Sequence, residues 1–173
     1  MSKVGEYIIW QGVNKVCSGV IEQRINEQTI FIKSMKDKFT YIDLGLPSGR
    51  LWASENAEGY YTYDEAKEKF GELLPKPEAF VELWEECRWL WDVKEKRMVV
   101  VGPNQNTIFL PASGNRHYAS SCLLNVGSYG SYWSYASYSQ AHARSLNFYS
   151  GGVYPLDGNH RAYGFSVRLC KEQ

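Results

Sequence analysis

The chain has 173 residues, 44% hydrophobic and 22% charged, a composition that suits one globular domain with a sizeable core and excludes general disorder. Lys and Arg together number 19, as do Asp and Glu, so no net charge draws the chain toward nucleic acid or an anionic membrane. No stretch is apolar enough to cross a bilayer, and the first fifteen residues hold no long apolar h-region, so neither membrane insertion nor a signal peptide is expected.

In chain order, residues 1–38 read as a strand-rich extension. "EYIIW" and "TIFIK" are rich in β-branched and aromatic residues, and "VCSGVIEQRI" is a third candidate strand. The extension is either a small docking element or the edge of the main sheet. Residues 39–173 form the main domain. "YIDLGLPSGRLWASENA" breaks into short apolar pieces at Gly45, Pro47, Ser48 and Gly49. "TYDEAKEKFGELL" predicts a helix, with Thr62 as N-cap, Glu65 at capping-box spacing and Gly71 near its end. "KPEAFVELWEECRWLW" predicts a second, with Pro77 in the first turn and Phe80, Leu83, Trp84 and Cys87 on one apolar face directed at the core. "WLWDVKEKRMVVVGPNQNTIFLPASG" then reads as three strands joined by turns at Lys94–Arg97 and Gly102–Asn106, the charged run being a solvated hairpin tip. "SLNF" and "GFSVRL" are the clearest later strands. In the second, Phe165, Val167 and Leu169 alternate with Ser166 and Arg168, as in a half-buried strand. Two helices set apart from an antiparallel set of short strands and long loops define an α+β fold.

The four cysteines, Cys17, Cys87, Cys122 and Cys170, lie far apart with no CxxC, which speaks against zinc and for buried thiols, with a Cys87–Cys170 bridge left open. The aromatic load is high, with 13 Tyr and 6 Trp. It concentrates in "GSYGSYWSYASYSQAHARSLNFYSGGVYP", and between His117 and Cys170 there is no Lys, Glu, Met, Thr or Ile. Tyr supplies large area at low entropy cost while Ser, Gly and Asn supply adaptable hydrogen bonds, as in antibody-like contact surfaces. A self-packed coil and cross-strand tyrosine pairs account for the same composition. Disorder fits least, because Trp133, Leu146, Phe148, Val153 and Phe165 punctuate the segment with core anchors.

"YIDLGLPSGRLWA", "NTIFLPASGNR", "GSYWS", "LNF", Val153 with Pro155, and "GFSVR" follow one another in an order that resembles the C-terminal domains of gut anaerobic bacteria and their phages. Those domains are similar to the variable proteins of diversity-generating retroelements, and the resemblance spans roughly residues 40 to 170. It implies a C-type lectin-like fold for residues 39–173, distantly similar to the formylglycine-generating enzyme fold, with a variable region at about 127–166. In such systems a reverse transcriptase misincorporates at template adenines, mostly in asparagine codons. Changing those adenines reaches Tyr, Ser, Ala, His, Arg, Gly and Asp, but not Lys, Glu, Gln, Met or Trp. The narrow alphabet follows, Gln140 being the residue that does not fit. The resemblance makes Tyr132, Trp133, Ser134, Ala143, Leu146, Phe148, Val153, Pro155, Arg161, Gly164, Phe165 and Val167 the scaffold. It makes Tyr129, Ser131, Tyr135, Tyr138, His142, Arg144, Ser145, Tyr149, Gly152, Tyr154, Asp157, Gly158, His160 and Tyr163 ligand-binding positions, with Asn147 and Asn159 as variable positions still carrying the template residue. With Leu146 and Phe148 facing in, strand parity turns Ser145, Asn147 and Tyr149 out and sends Arg144 to a strand end or bulge.

The expected function is therefore non-enzymatic recognition of a protein or glycan on a target surface such as a receptor. The alternative is a structural or assembly module of a phage tail, fibre or surface complex. A phage virion or cell-surface display is the implied location. No cofactor or metal is expected. Cys122 and Cys170 are too isolated for a paired-cysteine active site. Trp133-Ser134 and a lone Asp157 do not supply the several charged oxygens that calcium requires, and His117, His142 and His160 lack ligand spacing. GxSxG, HExxH and P-loop motifs are absent.

Overall fold

The computed structural model describes residues 38–172, so the candidate strands of the extension and Cys17 lie outside the described residues. The fold is α+β, with two α-helices and thirteen strands in four small sheets among the described residues. Strands β1 (Tyr41–Asp43) and β2 (Leu51–Ala53) pair antiparallel, and β13 (Cys170–Lys171) adds to β2, so the two ends of the described chain meet in one sheet. The loop between β1 and β2 turns at Gly45 and Gly49, whose φ values of 72° and 70° disfavour any residue with a Cβ.

Strand β3 (Ala57–Tyr61) leads to helix α1 (Tyr63–Phe70), and a single 3-10 turn, Gly71–Leu73, follows. The capping box forms as the spacing predicts: Thr62 Oγ1 accepts from the Glu65 amide, and the Thr62 amide donates to Glu65 Oε2 at 2.8 Å. Hydrogen bonding from the Thr62 amide and then from the Thr62 side chain holds the Glu65 carboxyl below its ordinary pKa. Helix α2 (Pro77–Glu86) starts on Pro77 but stops earlier than the sequence suggests. "RWLW" is strand β4 (Arg88–Asp92), because each of its residues finds a partner on β5 (Arg97–Val101), which pairs in turn with β6 (Thr107–Pro111). The apolar face of α2 is also shifted. Ala79, Phe80 and Leu83 are buried while Trp84 is 47% exposed, so Trp84 is not a core residue.

After the short pair β7 (Asn115–Arg116) and β8 (Leu123–Leu124), the chain builds the largest sheet from β9 (Tyr129–Ser137), β10 (His142–Tyr149), β11 (Gly152–His160) and β12 (Phe165–Val167). Its order is β11-β10-β9-β12-β3. Tyr132, Leu146 and Phe148 join Trp52, Phe80, Leu83, Val100 and Leu110 in one core cluster. Gly130 lies opposite Phe148, and a Cβ there would stand 2.1 Å from the ring, so the glycine is what lets Phe148 cross β9. Trp133 packs separately, stacked on Phe165 at 4.2 Å, edge-on to Tyr63, and donating from Nε1 to the Tyr61 carbonyl.

The C-terminal strand is not half-buried as its alternation suggests. Phe165 to Leu169 are all buried, Ser166 and Arg168 included. Arg168 is 1% exposed and donates to Asn56 Oδ1 at 2.8 Å, the Ala53 carbonyl at 2.8 Å and the Phe109 carbonyl at 2.5 Å. Burial lowers its pKa to about 10. Asn56 passes the connection on, donating to the Tyr132 hydroxyl, which donates to the Pro111 carbonyl at 2.7 Å. Burial pushes the Tyr132 phenol up to about 12.

Replacing Arg168 by Met leaves these acceptors buried without a donor, and the expected loss is about 3–5 kcal/mol in urea unfolding. Lys at 168 is expected to recover only part of it, because a point ammonium does not match an acceptor set placed for a guanidinium fork.

Candidate functional site

The narrow-alphabet segment is the three-stranded half of the largest sheet. Tyr149 pairs with Tyr129 on β9 and Gly152 on β11, and Asn147 pairs with Ser131 and Tyr154. Three tyrosine rings therefore line up across the strands. Tyr129 and Tyr149 stack with centroids 5.2 Å apart, Tyr149 and Tyr154 at 6.1 Å, both with interplanar angles of 17°. The Tyr149 and Tyr154 hydroxyls stand 3.4 Å apart. That hydrogen bond, with the charges of Tyr149, Tyr129 and Asp157, raises the Tyr154 phenol above its ordinary pKa. Gly151 permits the array, since a Cβ there would come within 2.7 Å of the Tyr149 ring. Tyr129 and Tyr154 are exposed and Tyr149 is half-buried.

Beneath and beside the rings lies a polar layer. Asn147 donates from Nδ2 to Asp157 Oδ2 at 2.6 Å, and Asn159 donates to Ser145 Oγ at 2.8 Å. Strand parity had turned Ser145 and Asn147 outward. They do lie opposite in parity to Leu146 and Phe148, but they are hydrogen-bonded by Asp157 and Asn159 of β11, and Ser131, Ser145 and Asn147 are 3%, 0% and 6% exposed. They are therefore not part of the exposed surface. Asp157 Oδ1 also accepts from the Gly158 amide, so the carboxylate is oriented while remaining exposed. Asn147 Oδ1 is buried with no hydrogen-bond partner.

Arg144 sits where the β9–β10 register shifts, between Ala143 and Ser145. Its guanidinium lies over the Tyr138 ring at 4.1 Å and donates to the Leu156 carbonyl. Tyr138 in turn covers Gly158, where a Cβ would meet the ring at 3.1 Å. The irregular stretch of β9 is held from below: Ser134 Oγ and the Tyr135 amide both donate to the Pro75 carbonyl, and the Tyr63 hydroxyl donates to the Tyr135 carbonyl. The Tyr135 ring lies under the Lys67 ammonium at 4.5 Å.

A second aromatic group forms at the other end of β10 and β11. His142 and His160 are cross-strand partners with rings 5.6 Å apart. Tyr118 stacks between His160 at 5.5 Å and His117 at 4.7 Å, and Tyr163 meets both Tyr118 and His117 edge-on. The proposed positions His142, His160 and Tyr163 thus come together, with His117 and Tyr118 added from the loop between β7 and β8. Sequence spacing held no sign of those two, because only the fold brings residues 117–118 beside 160–163. Beside this group a shallow open hollow of about 490 Å³ is lined by Thr62, Asp64, Gln140 and Arg161, among others. Arg161 is ion-paired to Asp64 there.

Among the described residues no group of three or more His, Cys, Asp or Glu is placed to hold a metal ion, and no helix is long and apolar enough to cross a membrane. Cys87, Cys122 and Cys170 are free thiols, so the Cys87–Cys170 bridge left open by the sequence does not form. Burial raises the Cys87 thiol to about 11 and the Cys170 thiol to about 12.

Over residues 87–170, a little under half of the chain, the sequence is similar to a domain family of unknown function, DUF8237. The matched region runs from the start of β4 to β13 and takes in the whole three-stranded face. No curated protein and no solved structure matches the chain.

In a Cys17→Ser background, Cys122 is expected to react with a disulfide reagent at pH 8 in the native protein. Cys87 and Cys170, held as neutral thiols, are expected to react only after denaturant is added, and absorbance of the released thiolate measures both phases.

Proposed function

We propose that the protein is a non-enzymatic ligand-binding domain with a C-type lectin-like fold, whose β9–β11 face, diversified by a retroelement, recognises a protein or glycan on a target surface. One observation carries this reading. Along these strands Tyr132, Trp133, Leu146 and Phe148 are buried, with Ser131, Ser145 and Asn147 forming a buried polar layer, while the exposed positions Tyr129, Tyr154, Asp157 and His160 hold residues that an altered asparagine codon supplies. The α+β arrangement and the order of the motifs quoted above support the lectin-like scaffold. The exposed tyrosines are rigid, amphipathic and few, the properties of contact residues that dominate binding energy. A second reading, an assembly module, is favoured by Leu123, Leu124 and Val126, which stand exposed beside one another at β8 and offer a subunit contact separate from the tyrosines.

The gene tests the first reading directly. A second, near-identical copy of the segment encoding residues 127–166 is expected beside a reverse transcriptase gene, with mismatches confined to template adenines. Mismatches spread over all four bases, or no repeat at all, overturn the diversification. In the protein, Ala at Tyr129, Tyr138 or Tyr154 is expected to cost no more than about 1.5 kcal/mol, the worth of one ring contact. Ala at Trp133 or Phe148 is expected to cost about 3–5 kcal/mol. Equal losses in both groups overturn the division between scaffold and face.

A further inference from the structure

Asp157 is the one carboxylate between His117 and Cys170, and that span holds three arginines. All three cations are already engaged. Arg144 lies on the Tyr138 ring and the Leu156 carbonyl, Arg161 pairs with Asp64, and Arg168 is buried among carbonyls. Asp157 is exposed, and among the described residues it forms no ion pair. Its two oxygens are fixed by the Asn147 amide and the Gly158 backbone, each keeping a lone pair for an incoming donor.

What surrounds Asp157 has the same chemical preference. Tyr154 is opposite Asn147 in the register, so the end of the tyrosine array, the carboxylate and the amide share one stretch of the β10–β11 ladder. Asn147 is 6% exposed, and its Oδ1 is an acceptor without a donor. The nearby hydroxyls of Tyr149 and Tyr154 both accept as well as donate. The site thus offers an exposed carboxylate without an ion pair beside an aromatic ring, while the neighbouring cation, Arg144, is turned to the Leu156 carbonyl and the Tyr138 ring.

We infer that this part of the face receives a basic side chain, Arg or Lys, of a protein ligand, with the exposed carboxylate of Asp157 as its counter-ion and Tyr154 as the aromatic wall. The inference rests on the ligand-binding reading above and names the chemistry of that same face. A guanidinium suits it best, since its planar fork can address both oxygens of a carboxylate while its plane lies on a ring.

The test is a titration of the full chain, followed by amide and side-chain NMR, with N-acetyl-arginine amide, N-acetyl-lysine amide, N-acetyl-glutamate amide and methyl mannoside as probes. The basic probes are expected to give saturable shifts at the Asn147 side-chain amide and the Tyr154 and Gly158 backbone amides. The arginine shifts are expected to need about tenfold more probe in Asp157→Asn, the loss of one charge-assisted hydrogen bond. Tyr154→Ala, which removes the wall and leaves the Asn147–Asp157 bond in place, is expected to weaken the same titration. Shifts from glutamate or mannoside without shifts from arginine overturn the basic-side-chain inference and leave a ligand-binding face. Shifts at the three positions from no probe, or undiminished arginine affinity in both variants, also overturn it, and the ligand-binding reading then stands or falls on the mismatch pattern in the gene.

Discussion

The buried guanidinium of Arg168 is the constraint on which the rest of the domain depends. Among the described residues it forms no ion pair. Its charge is met by the Ala53 carbonyl of β2, the Phe109 carbonyl of β6 and the Asn56 side chain, and through Asn56 it reaches the Tyr132 hydroxyl of β9. Three separate sheets are thus tied at one point. A buried cation is costly to desolvate, so the arrangement holds only while every donor is met. The β1-β2-β13 and β4-β5-β6 sheets have strands of two to five residues and cannot each bury a core alone. The common core cluster supplies the apolar attraction that brings them together, and Arg168 fixes which carbonyls stand where.

That anchoring keeps the support of β9–β11 apart from most of its exposed rings. Tyr132 and Phe148 point from the same strands into the shared core, Trp133 is locked by Phe165 and the Tyr61 carbonyl, and the irregular stretch of β9 is pinned to Pro75 and Tyr63. None of these contacts uses the rings of Tyr129, Tyr149 or Tyr154. The separation is incomplete in one place. Ser131, Ser145 and Asn147 form a buried polar layer under the rings, and two of them are bonded to Asn159 and Asp157. A change at Asn147 or Asn159 alters how β11 sits on β10, so such positions carry both support and surface.

Local signals in the sequence were legible where the physics is local. The capping box at Thr62 and Glu65, Pro77 at the start of α2, and the two hairpin turns of β4–β6 each depend on residues within a few positions of one another. The end of α2 was not, because helical periodicity runs on through "RWLW" and only the presence of β5 turns it into a strand. Trp84 was assigned to the core by spacing, yet a ten-residue helix has one covered side, and Ala79 takes that position. The burial of Ser166 and Arg168 was hidden for a related reason. Polar residues alternating with Phe165, Val167 and Leu169 read as a solvent side, and only the convergence of distant carbonyls makes a buried arginine tenable. At the face, the candidate tyrosines were legible from composition, whereas the joining of His117 and Tyr118 to His142, His160 and Tyr163 depends on a loop far away in the chain.

On the proposed ligand-binding reading, the tyrosine array also bears on how the face would engage a ligand. Each stacked pair is worth about 0.5–1.5 kcal/mol beyond its buried area, so the three rings hold one another in place before any ligand arrives. Side chains already ordered lose little freedom on binding, which removes one of the main costs of association. Ring stacking gives no charge selectivity of its own, however. That selectivity has to come from the polar residues at the rim of the array. Here the tyrosine array stands at one end of the strands, an oriented Asp157 without an ion pair lies beside it in mid-strand, and a group of three imidazoles gathers at the other end. On the proposed reading, exchanging Asp157 or one of the histidines changes which ligand is accepted while the tyrosines continue to supply the contact area.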